Sequence, residues 1–363
     1  MPRRLSYDPW LYLTVGLLVV GGILMVGSTS HYVAARFGQP PQHYLVRQLI
    51  HAVLGLALML AIMRVPYGRL ADRAVLGPAL AVCFAALLVV MFMPAANGAH
   101  RWLQLGPLRL QPSEFAKPLA VIVAALVLAR KEDRIASPRE VGLPLLAVLA
   151  PMVLLIVVEP DLGTAIMLCV AVGVMLFVAG LPWRHVGWTS LAFVALAALG
   201  IAIQPYRLHR LREFLNADGD FNSLGWQLKQ SQIALGSGGV AGVGFGQGRQ
   251  KAYFLPEAHT DFVFSVIGEE LGLIGVLAVL AAFLVLFWRG MRAAVRAPDR
   301  LGFYVAVGLT SLLVLQGLIN MGVCIGLFPT KGLALPFVSY GGSSLMASLL
   351  AMGVLLNVSQ HSN

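Results

Sequence analysis

About ten long apolar runs divide the chain, and no other feature constrains its fold as much. They lie near residues 11–27, 45–63, 76–93, 115–128, 143–158, 162–179, 186–203, 262–288, 301–321 and 343–358. A soluble core cannot use so many apolar runs of such length. An α-helix, by contrast, needs roughly 20 apolar residues to cross the ~30 Å hydrocarbon layer of a bilayer. Of the 363 residues, 58% are hydrophobic and 12% charged, where a soluble chain carries about a quarter charged residues. The expected fold is an all-α membrane protein with about ten transmembrane helices, forming a single polytopic membrane domain over residues 1–363.

The charges sit between the runs and give the helices a direction. Arg3 and Arg4 precede the first run. That run ends without a small-residue cleavage site, so it reads as a retained span rather than a signal peptide. With the N-terminus in the cytoplasm, Arg64, Arg69, Arg73, Arg130, Lys131, Arg134, Arg139, Arg184, Arg289, Arg292, Arg296 and Arg300 fall on the inner side. This is the cationic excess expected of cytoplasmic loops. It predicts both termini inside, and it accounts for the net charge of +10 without nucleic acid. No basic stripe interleaved with aromatics is present, so nucleic-acid binding is excluded. Cys83, Cys169 and Cys324 lie in apolar contexts with no CxxC spacing, which suggests packing rather than a metal site or a disulfide framework.

Two outer segments interrupt the pattern. One covers residues 94–117. The other, residues 204–261, is a large extracytoplasmic loop between helices 7 and 8. Trp226, Leu228, Ile233, Phe245 and Tyr253 make it too apolar for disorder, so it should pack on the outer face with short helices of its own. Its glycine-rich run holds a GxGxxA match at residues 236–241. That match follows no strand of a βαβ unit and is a poor nucleotide site. No P-loop occurs, so no nucleotide cofactor is expected.

Ionisable groups at the membrane boundary are costly and are natural functional candidates. In LPEAHTDFVF, Glu257, His259 and Asp261 alternate just before the eighth run. Asp261 or Thr260 could simply cap the helix. Alternatively, Asp261 is a base or a metal ligand at a lipid-facing groove. Glu269 and Glu270 lie about two turns further along that helix, where pairing with an arginine is the structural alternative. The segment NGAHRWLQLGPLRLQPSEFAK supplies Arg101, Trp102, Arg109 and Lys117. Its Gly106-Pro107 reads as a turn, Ser113 and Glu114 as cap residues, and Trp102 as an interface anchor. Lys117, one turn inside, could hold a phosphate or pair with a carboxylate, and Glu159 of EPDLGT is one such carboxylate. Finally, PTKGLALPFVSYGGSS contains Lys331, Ser339 and Ser343. Two prolines and a glycine pair break it, which predicts an unwound segment that lines a cavity or is buried in protein.

At these motifs the chain resembles the SEDS (shape, elongation, division, sporulation) family, nearly from end to end. The stretches that carry the resemblance are NGAHRWLQLGPLRLQPSEFAK, EPDLGTA, PYRLHRLREFL, GWQLKQSQIALGSGG, GFGQGRQKAYFLPEAHTDFVFSVIGEELG and PTKGLALPFVSYGGSS, in that order. LPEAHTD and PTKGLALP are closer to the FtsW members than to RodA. The resemblance implies a peptidoglycan glycosyltransferase that polymerises lipid II on the outer face of the bacterial cytoplasmic (inner) membrane, at the division septum. It matches the family's essential carboxylate to Asp261, and its important charged residues to Lys117 and Glu159. It also implies a class B penicillin-binding protein partner (an FtsI-like transpeptidase), the FtsQLB complex, and contact with membrane lipids. The short N-terminal tail, His100 before the Arg101-Trp102 pair and the lack of a long basic C-terminal tail depart from a typical FtsW. These departures bear on regulation and docking.

A chemical reading joins the two lines. Asp261 deprotonates the 4-hydroxyl of incoming lipid II, or holds a divalent cation (Mg2+ or Mn2+) that shares the work. Arg101, Arg109, Lys117, Arg207, Arg210 and Lys331 stabilise the departing pyrophosphate, with Trp102, Glu159, Glu257, His259, Ser339 and Ser343 around the substrate. The rival readings are a lipid II flippase, a RodA-type elongation polymerase and a non-enzymatic scaffold. A flippase needs charge at mid-membrane or on both sides, whereas these candidates cluster at the outer ends.

Overall fold

The computed structural model describes residues 7–36, 38–94, 100–106, 108–202, 208–209, 212–214, 224–329 and 332–362. Its long helices are α1 (Pro9–Arg36), α2 (His43–Ile62), α3 (Arg73–Val90), α4 (Pro112–Arg130), α5 (Leu143–Val158), α6 (Leu162–Val178) and α7 (Trp183–Ala202). They continue with α8 (Leu224–Ser237), α9 (Val263–Val295), α10 (Arg300–Cys324) and α11 (Gly342–His361). Eight of these are long and apolar enough to cross a membrane. The shorter apolar helix α6 and the 20-residue α7 coincide with the sixth and seventh apolar runs. α8 belongs to the large loop.

Hydropathy and burial run in opposite directions across the spans. α4, α10 and α11 are 72%, 78% and 89% buried, with mean hydropathies of 1.6, 1.8 and 1.5; α3, α5 and α9 are only 22–28% buried, with values of 2.2, 2.8 and 2.7. The physical reason is the solvent. A helix facing lipid cannot satisfy polar side chains, whereas a helix enclosed by others can. α4, α10 and α11 therefore form the centre and carry Lys117, Gln316, Asn320 and Asn357, all buried. α11 lies along α2, and α10 against α4, α6 and α9.

Both described chain ends lie at one end of the bundle, where Asp8 meets Arg289 and Ser359. The opposite end, called here the loop end, carries a hairpin, the large loop and the α10–α11 connection. In the hairpin, β1 (Leu103–Leu105) pairs antiparallel with β2 (Leu108–Leu110), so that Leu103 faces Leu110 and Gln104 faces Arg109. Gly106 turns the chain at φ 63°, in the region glycine favours.

The glycine-rich run does not lie loosely outside the bundle. It is keyed into a break in α9 at Gly272 (φ 64°, ψ −159°). The Val243 and Gly244 amides donate to the Glu269 and Glu270 carbonyls, and the Leu273 and Ile274 amides donate to Gly239 and Val240. These bonds satisfy backbone groups that the break would otherwise orphan. A Cβ at Gly242 would sit 2.1 Å from the Glu270 carbonyl oxygen, so glycine here is a demand of close backbone approach.

Candidate active site at the loop end

Asp261 stands immediately before α9, and the N-cap of that helix is Phe262, with no side-chain capping bond. Thr260 does not cap the helix: it donates to the Glu257 carbonyl and carboxylate, at 3.2 and 3.0 Å. The Asp261 backbone is pinned from α10. Its carbonyl accepts from Asn320 Nδ2 at 2.9 Å and faces Cys324 Sγ at 3.6 Å. Gly332 closes the other side, its α-carbon so near that a Cβ would lie 3.4 Å from Asp261 Oδ2.

The α10–α11 connection organises the site. Described from residue 332 onward, it is non-helical and largely buried, as its prolines and glycines predict. Its carbonyls are held by two α10 amides one turn apart. Asn320 Nδ2 donates to Leu333 at 2.7 Å and Gln316 Nε2 to Ala334 at 2.9 Å. Lys117 reaches the same place from α4, donating to Gln316 Oε1 at 2.7 Å and pairing with Glu114 at 2.9 Å. Two of the three lysine donors are thereby used. Its carboxylate partner is Glu114, one turn back on α4, rather than Glu159.

Glu159 sits just past the end of α5 with 1% of its surface exposed, and neither carboxylate oxygen has a hydrogen-bond partner among the described residues. Burial, reinforced by Asp161 and opposed by Arg101, pushes its carboxyl up to about 8. Arg101 does not pair with that carboxylate. It donates through Nε to the Glu159 carbonyl at 3.0 Å, and also to the Pro160 carbonyl, tying the hairpin strand to the α5–α6 corner. Asp161 caps α6 through the Thr164 amide at 3.2 Å and accepts from Gln111 at 2.8 Å and Ser113 at 3.3 Å.

The remaining candidates fall into two groups. Ser343 accepts from the Gln111 amide at 2.8 Å and donates to the Arg109 carbonyl at 3.2 Å, which docks the hairpin on α11. Ser339 accepts from the Leu335 amide at 2.8 Å. Their hydroxyls are thus engaged within the protein, while the Arg109 side chain is exposed and Trp102 half-buried. His259 is buried between Tyr44 and Tyr340, ring centroids 5.0 and 5.3 Å away. Burial lowers its pKa, against the Coulombic pull of Glu257; its carbonyl accepts from the Tyr340 amide at 2.8 Å. Arg207, Arg210 and Lys331 lie outside the described residues.

Glu269 and Glu270 are structural in these contacts. Glu270 forms a fully buried pair with Lys251 and accepts from Ser28 and the Gly246 amide, while Glu269 accepts from the Arg249 and Gln250 amides at 2.7 and 3.1 Å. Together they lock the loop that leads into Asp261.

The family model for FtsW, RodA and SpoVE, described as cell cycle proteins, matches residues 9–363. The chain belongs to this family. It is 42% identical to a probable peptidoglycan glycosyltransferase FtsW of Trichlorobacter lovleyi, over 99% of this chain and 94% of that protein. Two solved structures share its fold. One, from work on the structural coordination of polymerization and crosslinking by a peptidoglycan synthase complex, has a TM-score of 0.79, with 32% identity and 98% of each chain covered. The other, the rod shape determining protein RodA of Thermus thermophilus, has a TM-score of 0.71, with 31% identity over 99% of this chain and 98% of that one.

Within this SEDS frame, reading the sequence missed the groups that hold the site. Gln316 and Asn320 are polar residues four apart in an apolar span, a signal that was present. Arg47, which no sequence motif singles out, lies in the first turns of α2 and acts electrostatically on Tyr340. Tyr44 and Tyr340 carried no local signal, because their meeting around His259 is purely tertiary.

Proposed function

We propose that the protein is a peptidoglycan glycosyltransferase that polymerises lipid II into glycan strands during septal cell-wall synthesis. The observation that carries this reading is the convergence on the α10–α11 connection. Asp261 is tied to it through Asn320, and Lys117 through Gln316. The backbone of an aspartate and the ammonium of a lysine are thus held against one buried segment at the loop end. A lipid-linked sugar presents its hydroxyl and pyrophosphate at that depth.

In the reaction, the 4-hydroxyl of the acceptor attacks C1 of the donor sugar, and the C1–O bond to the pyrophosphate breaks. Asp261 takes the hydroxyl proton and the leaving pyrophosphate takes the bonding electrons. An α-phosphate giving a β-linkage requires inversion, so no covalent enzyme intermediate forms. The Lys117 donor left over from Glu114 and Gln316, with Arg101, Arg109, Arg207, Arg210 and Lys331, stabilises the departing charge. A carboxyl with a pKa of about 8 is mostly protonated at neutral pH, so Glu159 can border an anionic group without repelling it. Among the described residues no group of three His, Cys, Asp or Glu could hold a metal ion. A divalent cation acting here would be held by Asp261 and would supply positive charge to the departing pyrophosphate.

The loop end faces outward, both termini are cytoplasmic, and the protein works at the septum with an FtsI-like class B penicillin-binding protein and the FtsQLB complex. The test is reconstitution of the full chain with its transpeptidase partner in liposomes containing lipid II. Glycan strands form under this account. Translocation of lipid II without polymer identifies a flippase instead.

A further inference from the structure

The end opposite the active site carries two adjoining cavities that this chemistry leaves unused. We propose that they bind one anionic phospholipid, its phosphodiester against the arginines at the end of α9 and an acyl chain in the groove between α2 and α11.

The first cavity, about 100 Å³, is lined by Tyr7, Asp8, Arg289, Arg292, Arg296 and Ser359. Arg289, Arg292 and Arg296 follow one another at i, i+3 and i+7, so they share one face of α9. Arg289 is held by Asp8, through Nε at 2.8 Å and a second nitrogen. The side chains of Arg292 and Arg296 make no hydrogen bond or ion pair among the described residues. Three guanidiniums and one carboxylate leave a charge of +2 on the cavity wall. The two serine hydroxyls are already committed, Ser359 donating to Leu356 and Ser362 to Ala293 and Val358, and the guanidiniums can only donate. The ligand must therefore be an acceptor, and a phosphate diester suits the planar forks of arginine.

The second cavity, about 420 Å³, has Leu60, Met63 and Pro66 on its apolar wall and Arg64, Asn357, Gln360 and His361 at its polar edge. Tyr7 belongs to both linings. A molecule anionic at one end and apolar at the other fits the pair, whereas a free anion uses only the first. Basic pockets between transmembrane helices on the cytoplasmic side are suited to acidic headgroups. The chain's own first six residues are a poor cover for such a wall: Met-Pro-Arg-Arg-Leu-Ser brings two more cations and no acid.

The test is native mass spectrometry of the full chain in detergent, titrated with phosphatidylglycerol, cardiolipin or phosphatidylcholine. The expected result is preferential retention of the acidic lipids. The Arg292→Gln/Arg296→Gln variant lowers that retention about tenfold or more. The control Arg139→Gln/Arg184→Gln, at the same end but outside both cavities, leaves it unchanged. Neither cavity arginine holds another residue, so thermal melting of the double variant stays at the wild-type value; should it fall, Arg296→Gln alone carries the test. Equal retention of acidic and zwitterionic lipid, or an unchanged double variant, overturns the proposal. Displacement of the lipid by inorganic phosphate alone assigns the site to a free anion, and equal binding of a polyglutamate peptide assigns it to an acidic protein segment. Either result overturns it as well.

Discussion

Replacing Glu159 by glutamine tests the most exposed link in the account of the site's electrostatics. The carboxyl is buried without a hydrogen-bond partner among the described residues, and its pKa rises from 4.5 to about 8. The folded state then holds a proton that the unfolded state has released. Stability is unaffected below pH 4.5, falls as pH rises through the window from 4.5 to 8, and levels off above it. The slope is about 1.4 kcal/mol per pH unit, so the full loss is about 5 kcal/mol and the loss between pH 6 and pH 9 about 3 kcal/mol. Glutamine keeps the shape and cannot ionise. Thermal melts of wild type and Glu159→Gln in detergent should therefore diverge, with the variant gaining about 5 °C on wild type between pH 6 and pH 9, at about 2 °C per kcal/mol. Comparing the two proteins at each pH cancels every other titrating group. Parallel melting curves across this range would refute the reasoning, because they would mean that Glu159 is solvated or paired in the folded protein.

Further substitutions test the parts that hold the site. Glu270→Gln leaves the Lys251 ammonium buried without its counter-ion and should cost about 3–5 kcal/mol, read as a lower melting temperature. The paired Glu270→Leu/Lys251→Met change should recover much of that loss. Gly272→Ala places a Cβ 2.3 Å from the Gly242 amide nitrogen at a positive φ, and should destabilise by about 2–4 kcal/mol. Asn320→Leu releases the Asp261 and Leu333 carbonyls; kcat should fall with KM little changed, since the carboxylate loses its position while the substrate keeps its contacts.

Much of the fold was legible because a membrane imposes one rule on every span. The run at 143–158 coincides with α5 (Leu143–Val158), and the others agree to within a few residues except where a helix outlasts its apolar run. α1 continues through Ser28 and Ser30 to Arg36, and α9 runs on past Arg289 to Val295, because those turns are enclosed by other parts of the protein or lie beyond the hydrocarbon. The candidate residues were legible as charges in costly places, but their partners were not. Lys117 pairs with Glu114 rather than Glu159, and Glu270 with Lys251 rather than an arginine. Partner choice depends on which helices meet, and local spacing does not encode that. The glycine-rich run showed the same limit: its sequence offered only a weak nucleotide-site match, and only the break at Gly272 reveals why glycine is required there.

The central claim is that Asp261 removes the acceptor proton, and the most direct measurement is polymerisation of lipid II by Asp261→Asn in complex with the transpeptidase partner. Asparagine keeps the size of the side chain and removes only its basicity. The account predicts that glycan synthesis falls by about 10²–10⁴-fold, while the variant still folds, binds its partner and retains lipid II. Glycan strands formed at near the wild-type rate would contradict it.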